Sequence, residues 1–271
     1  MLDDRFGSLS RPPLSAAALR GALAGRGRPW RALDVVTTTG STNADLARAA
    51  EEGEASGLVL VAEEQTEGRG RLGRTWSAPP RAGLMFSVLL RPSVPVARLG
   101  WLPLLAGLAA AEAVSRLAEV DVRLKWPNDL LVEDRKLAGV LAERVSGEGG
   151  WAVVVGIGLN VTTLASELPV ETATSLAVEG AACTDRDPLL RAILRRLAVR
   201  YAAWDGPDGD PGLADDYRAR CATIGRHVRA ELPGGARVEG TAEGVDDGGR
   251  LVIRTQGGVE RVGAGDVVHL R

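Results

Sequence analysis

Two lysines, Lys125 and Lys136, stand eleven positions apart in a chain whose 31 other basic residues are arginine. Biased codon usage explains the skew most simply, and it makes the exceptions informative. Lysine is a compact point charge with three rotatable donors, whereas arginine is a planar fork, so one does not replace the other at a shaped site. Asparagine (Asn43, Asn128, Asn160) and glutamine (Gln65, Gln256) are equally scarce, and six of these seven residues fall between positions 43 and 160. Lys125 opens the string Lys125-Trp126-Pro127-Asn128-Asp129, which sets an amide beside a carboxylate at a proline-stopped strand end. Lys136 opens Lys136-Leu137-Ala138-Gly139. Upstream, Gly68-Arg69-Gly70-Arg71-Leu72-Gly73-Arg74 concentrates three arginines on a glycine backbone that can approach a ligand closely, between Gln65 and Trp76. Together these groups suit chemistry on a nucleotide phosphate. A carboxylate can hold Mg2+ through oxygen, and cations can neutralise charge developing on an α-phosphate. No general base is needed when the attacking group is already a carboxylate. Taken singly, Asn128-Asp129 reads as a turn and the arginine run as a solvated loop.

Several other chemistries are excluded by context. Gly68–Gly73 satisfies G-x-G-x-x-G, but Thr75-Trp76-Ser77-Ala78-Pro79-Pro80 follows where a dinucleotide-binding fold requires a helix. Neither lysine follows a phosphate-loop pattern, and no G-x-S-x-G occurs. Both histidines, His227 and His269, lie near the C-terminus, so residues 1–221 hold no Ser-His-Asp or Cys-His arrangement and no histidine-based metal site of their own. A nucleic-acid module using the Arg/Gly loop remains a second reading. Against it stand a single short cluster and little aromatic interleaving.

The elements that must position these residues follow from periodicity. A short helix is expected over Ser15–Leu23 with Ser15 as cap, then a strand at Ala32–Val36. A helix follows from about Ser41 to Glu52, with Thr42 and Asp45 in capping relation, and a strand at Leu58–Ala62. Gly83–Leu90 reads as a strand, Val96–Leu117 as a long buried helix, and Val122–Trp126 as a strand ended by Pro127. Leu130–Val132 and Leu137–Val145 pair as a hairpin, Trp151–Gly158 is an apolar strand, and Pro188–Trp204 and a segment reaching Arg220 are helical. Beyond Ile224 short strands alternate with Pro233-Gly234-Gly235, Asp246-Asp247-Gly248-Gly249 and Gly257-Gly258, the pattern of a small β-barrel. The expected organisation is an N-terminal extension (1–30), a catalytic domain (31–221) and a C-terminal domain (222–271).

The chain has 271 residues, 45% hydrophobic and 25% charged, enough for a full core, and its net charge of −2 supplies no global basic field. Any anion site is therefore local. Cys183 and Cys221 make no C-x-x-C pair, and no basic-then-apolar leader opens the chain, so a reducing cytoplasm is expected. The apolar run Leu99–Ala111 is broken by Pro103 and ends at Glu112, short of the ~20 residues a membrane span needs.

The motifs resemble those of the biotin protein ligases, also called holocarboxylase synthetases. The resemblance rests on Ser41-Thr42-Asn43, Gln65 with Gly68 through Trp76, Lys125 through Asp129, Lys136 through Leu141, and Gly156-Ile157-Gly158-Leu159-Asn160-Val161, in matching order and spacing. It implies an α+β fold in which helices flank a central mixed sheet, related to class II aminoacyl-tRNA synthetases, with an SH3-like C-terminal barrel. It also implies a two-step reaction. Biotin and MgATP give biotinyl-5′-AMP and pyrophosphate, and the biotinyl group then passes to a lysine of the biotin carboxyl carrier domain of an acyl-CoA carboxylase.

By position, the resemblance puts Ser41, Thr42, Asn43, Gln65, Gly68, Arg69, Gly70, Arg71 and Lys136 at biotin. Lys136, Arg69 and Arg71 are then catalytic, Arg74, Trp76, Lys125, Asn128 and Asn160 belong to ATP, and Asp129 to Mg2+. Some relatives carry an N-terminal winged-helix repressor domain, which thirty residues cannot hold, so no DNA partner is expected. Neither is a membrane partner, and a monomer or weak homodimer fits. A lipoate ligase shares the adenylation logic but carries an R-R-x-S-G-G-G-type loop where this chain has Gly-Arg-Gly-Arg-Leu-Gly-Arg.

Overall fold

The computed structural model describes residues 11–270, so the first ten residues of the expected N-terminal extension lie outside it. The described chain begins its regular structure with α1 (Ala16–Leu23), capped by the Ser15 hydroxyl, which accepts from the Ala18 N–H. Leu19 and Leu23 on its inner face and Trp30 after it are buried in the main core, and Trp30 Nε1 donates to the Leu194 carbonyl at 3.2 Å.

Seven strands form the central sheet: β1 (Ala32–Val36), β2 (Leu58–Ala62), β3 (Gly83–Leu90), β4 (Val122–Lys125), β5 (Asp129–Val132), β6 (Arg135–Gly147) and β7 (Gly150–Asn160). Their spatial order is β1-β2-β3-β7-β6-β5-β4, and the β1–β2 pair alone is parallel. That pair is joined by the crossover helix α2 (Thr42–Glu51), as a parallel connection requires. The sheet is therefore mixed and flanked by helices, as expected. All eight residues of β3 are buried, which marks the centre of the sheet.

α2 covers one face, while α3 (Trp101–Ala118) and α4 (Arg186–Trp204) pack together over the other, with α5 (Leu213–Arg220) at their end. α3 starts five residues later than periodicity suggests, after a short turn at Val96–Arg98. The start at Trp101 places Pro103 in the first turn, where no intrahelical donor is lost; an earlier start would set its ring against the preceding turn. By length and composition α3 is apolar enough to cross a membrane, unlike the shorter run read from sequence. Thirteen of its eighteen residues are instead buried against the sheet and α4.

The C-terminal unit contains β8 (His227–Glu231), β9 (Arg237–Val245), β10 (Leu251–Thr255), β11 (Gly258–Val262) and β12 (Asp266–His269), all antiparallel in the order β11-β10-β9-β8-β12. The expected barrel is corrected to an open SH3-like sheet, because β11 and β12 do not pair with each other among the described residues. β11 exposes four of its five residues and offers no alternating apolar face to close on. β12 instead borders a cavity shared with residues of the central-sheet unit.

Candidate functional site

A cavity of about 350 Å3 opens where α2, β5, β6, β7, the Gly/Arg loop and β12 converge. Most of the singled-out residues line it: Ser41, Thr42, Asn43, Gln65, Arg69, Gly70, Arg71, Arg74, Trp76, Lys125, Asn128, Asp129 and Lys136. Gly68 and Asn160 do not. Gly68 faces the opposite side of the loop, where a Cβ would lie 2.3 Å from the Trp76 carbonyl oxygen; its lack of a side chain lets the loop fold back on itself. Asn160 is buried and donates to the Thr174 carbonyl at 2.9 Å, tying down the long segment between β7 and α4.

At one end of the cavity the start of α2 is packed with polar groups. Ser41, Thr42 and Asn43 are only 4%, 3% and 4% exposed. Ser41, not Thr42, is the N-cap, accepting from the Ala44 N–H, while Asp45 pairs with the Thr39 hydroxyl. That leaves Thr42 Oγ1 free to meet Gln65 Oε1 at 3.0 Å and Ser87 Oγ at 2.7 Å. The floor is bare backbone. A Cβ on Gly156 would lie 2.0 Å from Asn43 Oδ1, and one on Gly158 would lie 2.4 Å from Trp76 Cε2. Trp76 rests its indole on Gly158 and on its cross-strand partner Gly139. Its Nε1 is buried with no hydrogen-bond partner, a donor that a ligand acceptor would satisfy.

The charged end is built by a hairpin and a bulge. Lys125 and Asp129 face each other across β4 and β5, on either side of the Trp126-Pro127-Asn128 turn. Between β5 and β6 the register slips, so that Leu131 opposes Lys136 while Leu130 opposes Ala138. The extra residue, Leu137, turns Lys136 onto the face of Asp129, which an unbroken alternation would deny it. Lys136 Nζ then lies 2.7 Å from Asp129 Oδ1 and 5.8 Å from the Trp76 ring centroid. The Lys136 backbone is clamped on both sides, N–H to the Thr172 carbonyl at 2.7 Å and carbonyl to the Thr174 N–H at 2.8 Å.

The Gly/Arg loop closes over this end as a tight hairpin, with Arg69 bridged to Thr75 and Trp76 N–H donating to the Gly68 carbonyl at 2.8 Å. Its tip, Leu72, is 63% exposed in a left-handed conformation, so little apolar burial anchors it. Its anchors are polar. Arg71 donates to Asn128 Oδ1 at 3.3 Å and to the Gly265 carbonyl at 3.2 Å, and Arg74 pairs with Asp266 of β12. Burial lowers the Arg71 pKa below the ordinary guanidinium range, opposed by Asp266 and Asp129. Sequence reading missed Asp266 and Glu231, which line the cavity from the C-terminal unit. It also missed the floor glycines as site residues, although glycine inside an apolar strand signals close approach. The Arg74–Asp266 pair is largely exposed, so Asp266→Asn should leave the melting temperature within about 2 °C. It should nevertheless speed amide hydrogen exchange across residues 65–76; unchanged exchange would show that the pair does not hold the loop.

A second contact with the C-terminal unit supports the turn itself. Thr223 Oγ1 accepts from the Trp126 N–H at 3.1 Å and lies 3.0 Å from His269 Nε2, while Trp126 Nε1 donates to the Gly249 carbonyl at 3.1 Å. Burial first, then Lys125 and Arg226, push the His269 pKa down from 6.5 to about 4. The unfolded chain thus binds a proton that the folded one refuses. Stability from this group is complete above pH ~6.5 and is lost as the pH falls toward about 4. Melting temperatures across that window should fall less steeply for His269→Gln than for the parent; parallel curves would refute the assignment.

Asp129 also decides whether Mg2+ fits. Its Oδ1 is buried and makes no directional hydrogen bond despite the Lys136 charge beside it, leaving a lone pair for a further ligand. Among the described residues no three His, Cys, Asp or Glu side chains converge as a cage. The donor set suits a Mg2+ that arrives with a triphosphate, held through a carboxylate, phosphates and water.

Residues 35–160 match the model of the biotin/lipoate A/B protein ligase family, and residues 223–270 match that of the biotin protein ligase C terminal domain. The chain is 50% identical over 266 residues to the biotin–acetyl-CoA-carboxylase ligase of Mycobacterium tuberculosis, spanning 96% of this chain and 97% of that one. It is 34% identical to the ligase of the same name from Paracoccus denitrificans, over 86% of this chain and 98% of the other. Among solved structures, the biotin protein ligase of Aquifex aeolicus in complex with biotin and ATP superposes with a TM-score of 0.74 at 29% identity, covering 89% of this chain and 100% of its own. With matches across both units and near full-length relatives of one kind, the chain belongs to the biotin protein ligase family.

Proposed function

We propose that this chain joins biotin to ATP as biotinyl-5′-AMP, releasing pyrophosphate, and passes the biotinyl group to a lysine of a biotin carboxyl carrier domain. The carrier would be that of an acyl-CoA carboxylase, and the reaction would take place in the cytoplasm. The observation that carries this reading is one cavity with a paired polar end and a cationic end, joined by a glycine floor under Trp76. A cyclic urea needs buried donors and acceptors to replace water, and the start of α2 supplies them. A carboxylate and a triphosphate repel each other, and Arg69, Arg71 and Lys136 line the place where they must meet.

In the first step a biotin carboxylate oxygen attacks the α-phosphorus and the bond to pyrophosphate breaks, with no proton to remove. Lys136 Nζ is the group to neutralise the oxygens that gain charge, exchanging its contact with Asp129 for them. The half-buried Arg71 acts at higher field than a solvated arginine would. Mg2+ entering with ATP would offset triphosphate charge beside Asp129. Closure of the Gly/Arg loop keeps water from the mixed anhydride until an amine arrives. In the second step the neutral lysine amine of the carrier attacks the acyl carbon and AMP leaves.

Arg71 and Arg74 are tied to the chain's own carbonyl, amide and carboxylate groups beside the cavity, which leaves the nucleic-acid reading little of the loop's charge to use. Incubation with biotin, MgATP and a carrier domain should add one biotinyl mass to the carrier, dependent on both small molecules. A carrier of unchanged mass, with no pyrophosphate formed, would refute the proposal.

A further inference from the structure

Lys136 lies where β6 extends past its neighbour. The β6–β7 ladder begins at Ala138 and Leu159, so on that side the backbone N–H and C=O of Lys136 lie beyond the last pair. The chain after β7 fills the gap. From Val161 to Asp185 it holds only one short turn of helix, Ala165–Glu167, and an irregular stretch of that length in a packed fold usually has a task. Here it returns alongside β6 as a parallel bridge at Ala173, and Thr172 and Thr174 supply the two backbone bonds that Lys136 needs. Toward β7 the segment is tied by Asn160, whose side chain donates to the Thr174 carbonyl at 2.9 Å and whose carbonyl accepts from the Leu176 N–H at 3.2 Å. Toward β6 it is tied by Glu179. That carboxylate accepts from the Thr174 hydroxyl, and its two oxygens lie 2.9 and 3.0 Å from Arg135 Nη2. Thr174 is 0% exposed and the Glu179 side chain 10%, so the contact is largely dry. Among the described residues it is the one side-chain bond between this segment and β6.

We infer that Glu179 is a positioning residue for Lys136. By joining Arg135, the neighbour of Lys136 on β6, to Thr174, its partner on the returning segment, the carboxylate braces the short stretch of backbone from which the ammonium reaches Asp129. The inference rests on the role given to Lys136 above. A brace is needed there because the register slip at Leu137 interrupts the β5 ladder next to Lys136, while β7 does not reach it. Two backbone bonds to an irregular segment are its hold on that side. Without the carboxylate the buried Thr174 hydroxyl loses its partner, and the segment loses its side-chain bond to β6. Lys136 then keeps its charge and loses its fixed origin. For a group that must meet a developing charge, a displacement of about 1 Å costs up to ~100-fold in rate.

With Lys125 and Lys136 as the only lysines, the test can be read directly. Protein labelled with carbon-13 at lysine Cε should give two methylene signals, which Lys125→Arg assigns. Lys136 Nζ lies 5.8 Å from the Trp76 ring centroid, so the ring current makes the Lys136 signal a gauge of its place. Glu179→Ala should move that signal and leave the Lys125 signal where it is. It should also lower kcat for biotin-dependent pyrophosphate release by about 10-fold, with the KM for biotin and for ATP within about threefold of the parent. Arg135→Met severs the same bond from a more exposed side chain, so it tests the brace even where Glu179→Ala folds poorly, and it should act in the same direction. Glu179→Gln keeps an oxygen for the Thr174 hydroxyl and should recover most of the rate. A Lys136 signal unmoved in both severing variants would overturn the inference. So would an equal shift of both lysine signals, or matched rises in both KM values, the marks of a merely structural role. If the parent protein releases no pyrophosphate with biotin, the proposed function itself fails, while the lysine signals still report whether Glu179 places Lys136.

Discussion

Lys136→Ala should retain its fold and lose biotin-dependent pyrophosphate release by roughly 10²- to 10³-fold, the cost of removing one preorganised charge from a site where negative charge develops. The structure gives three reasons to place the effect in chemistry and not in stability. The Lys136 side chain is partly exposed, its backbone is held by bonds that alanine keeps, and its ion pair with Asp129 lies at the cavity and outside the core. Lys136→Arg should recover little. A broad planar guanidinium cannot occupy the space between Asp129 and the Trp76 ring that the compact ammonium fills. Pyrophosphate release with saturating biotin and ATP, set beside circular dichroism and melting of the same samples, checks both. An Ala variant within threefold of the parent would remove Lys136 from the reaction.

The second large effect comes from a residue with no side chain. Gly158→Ala puts a Cβ 2.4 to 2.8 Å from three atoms of the Trp76 indole, closer than any real contact, so the ring must leave its place on the floor. On the proposed reading Trp76 is the flat surface offered to the nucleotide, and its loss should lower kcat/KM for ATP by about 100-fold, since stacking contributes ~1–3 kcal/mol per base. Gly156→Ala is the control. It lies two residues along the same strand, and its Cβ would strike Asn43 Oδ1 instead, at 2.0 Å. It should therefore raise the Kd for biotin and leave Trp76 fluorescence largely unchanged. Titration of each variant with biotin and with ATP separates the two ends of the cavity. If both variants weakened both ligands alike, the division of the floor would be wrong.

What the sequence showed of this site came from rarity. In an arginine-biased chain, two lysines and three asparagines stand out, and four of these five residues line the cavity. Hydrophobic periodicity likewise gave every major strand of the central sheet. The pieces that stayed hidden depend on pairing between distant segments. Nothing local announces that Leu137 is an extra residue in β6, yet that slip is what aims Lys136 at Asp129. Composition also masks which arginine is structural. Arg186 forms a 2.6 Å pair with Glu63, both about 5% exposed, and no neighbour of either hints at it. Asp266 is one of several acids in a turn-rich tail, and only the docking of β12 brings it to Arg74. The tail's regular turn spacing suggested closure, whereas closure depends on edge strands that here are short, and in β11 mostly exposed.

In the proposed first step a biotin carboxylate oxygen becomes bonded to the α-phosphorus of ATP within this cavity. Biotin labelled with oxygen-18 in its carboxyl group tests it without reference to any variant. After turnover with MgATP and a carrier domain, the AMP should carry one labelled oxygen, because the acyl carbon–oxygen bond is the one that breaks on transfer to the lysine amine. Unlabelled AMP, or ADP in its place, would contradict the account.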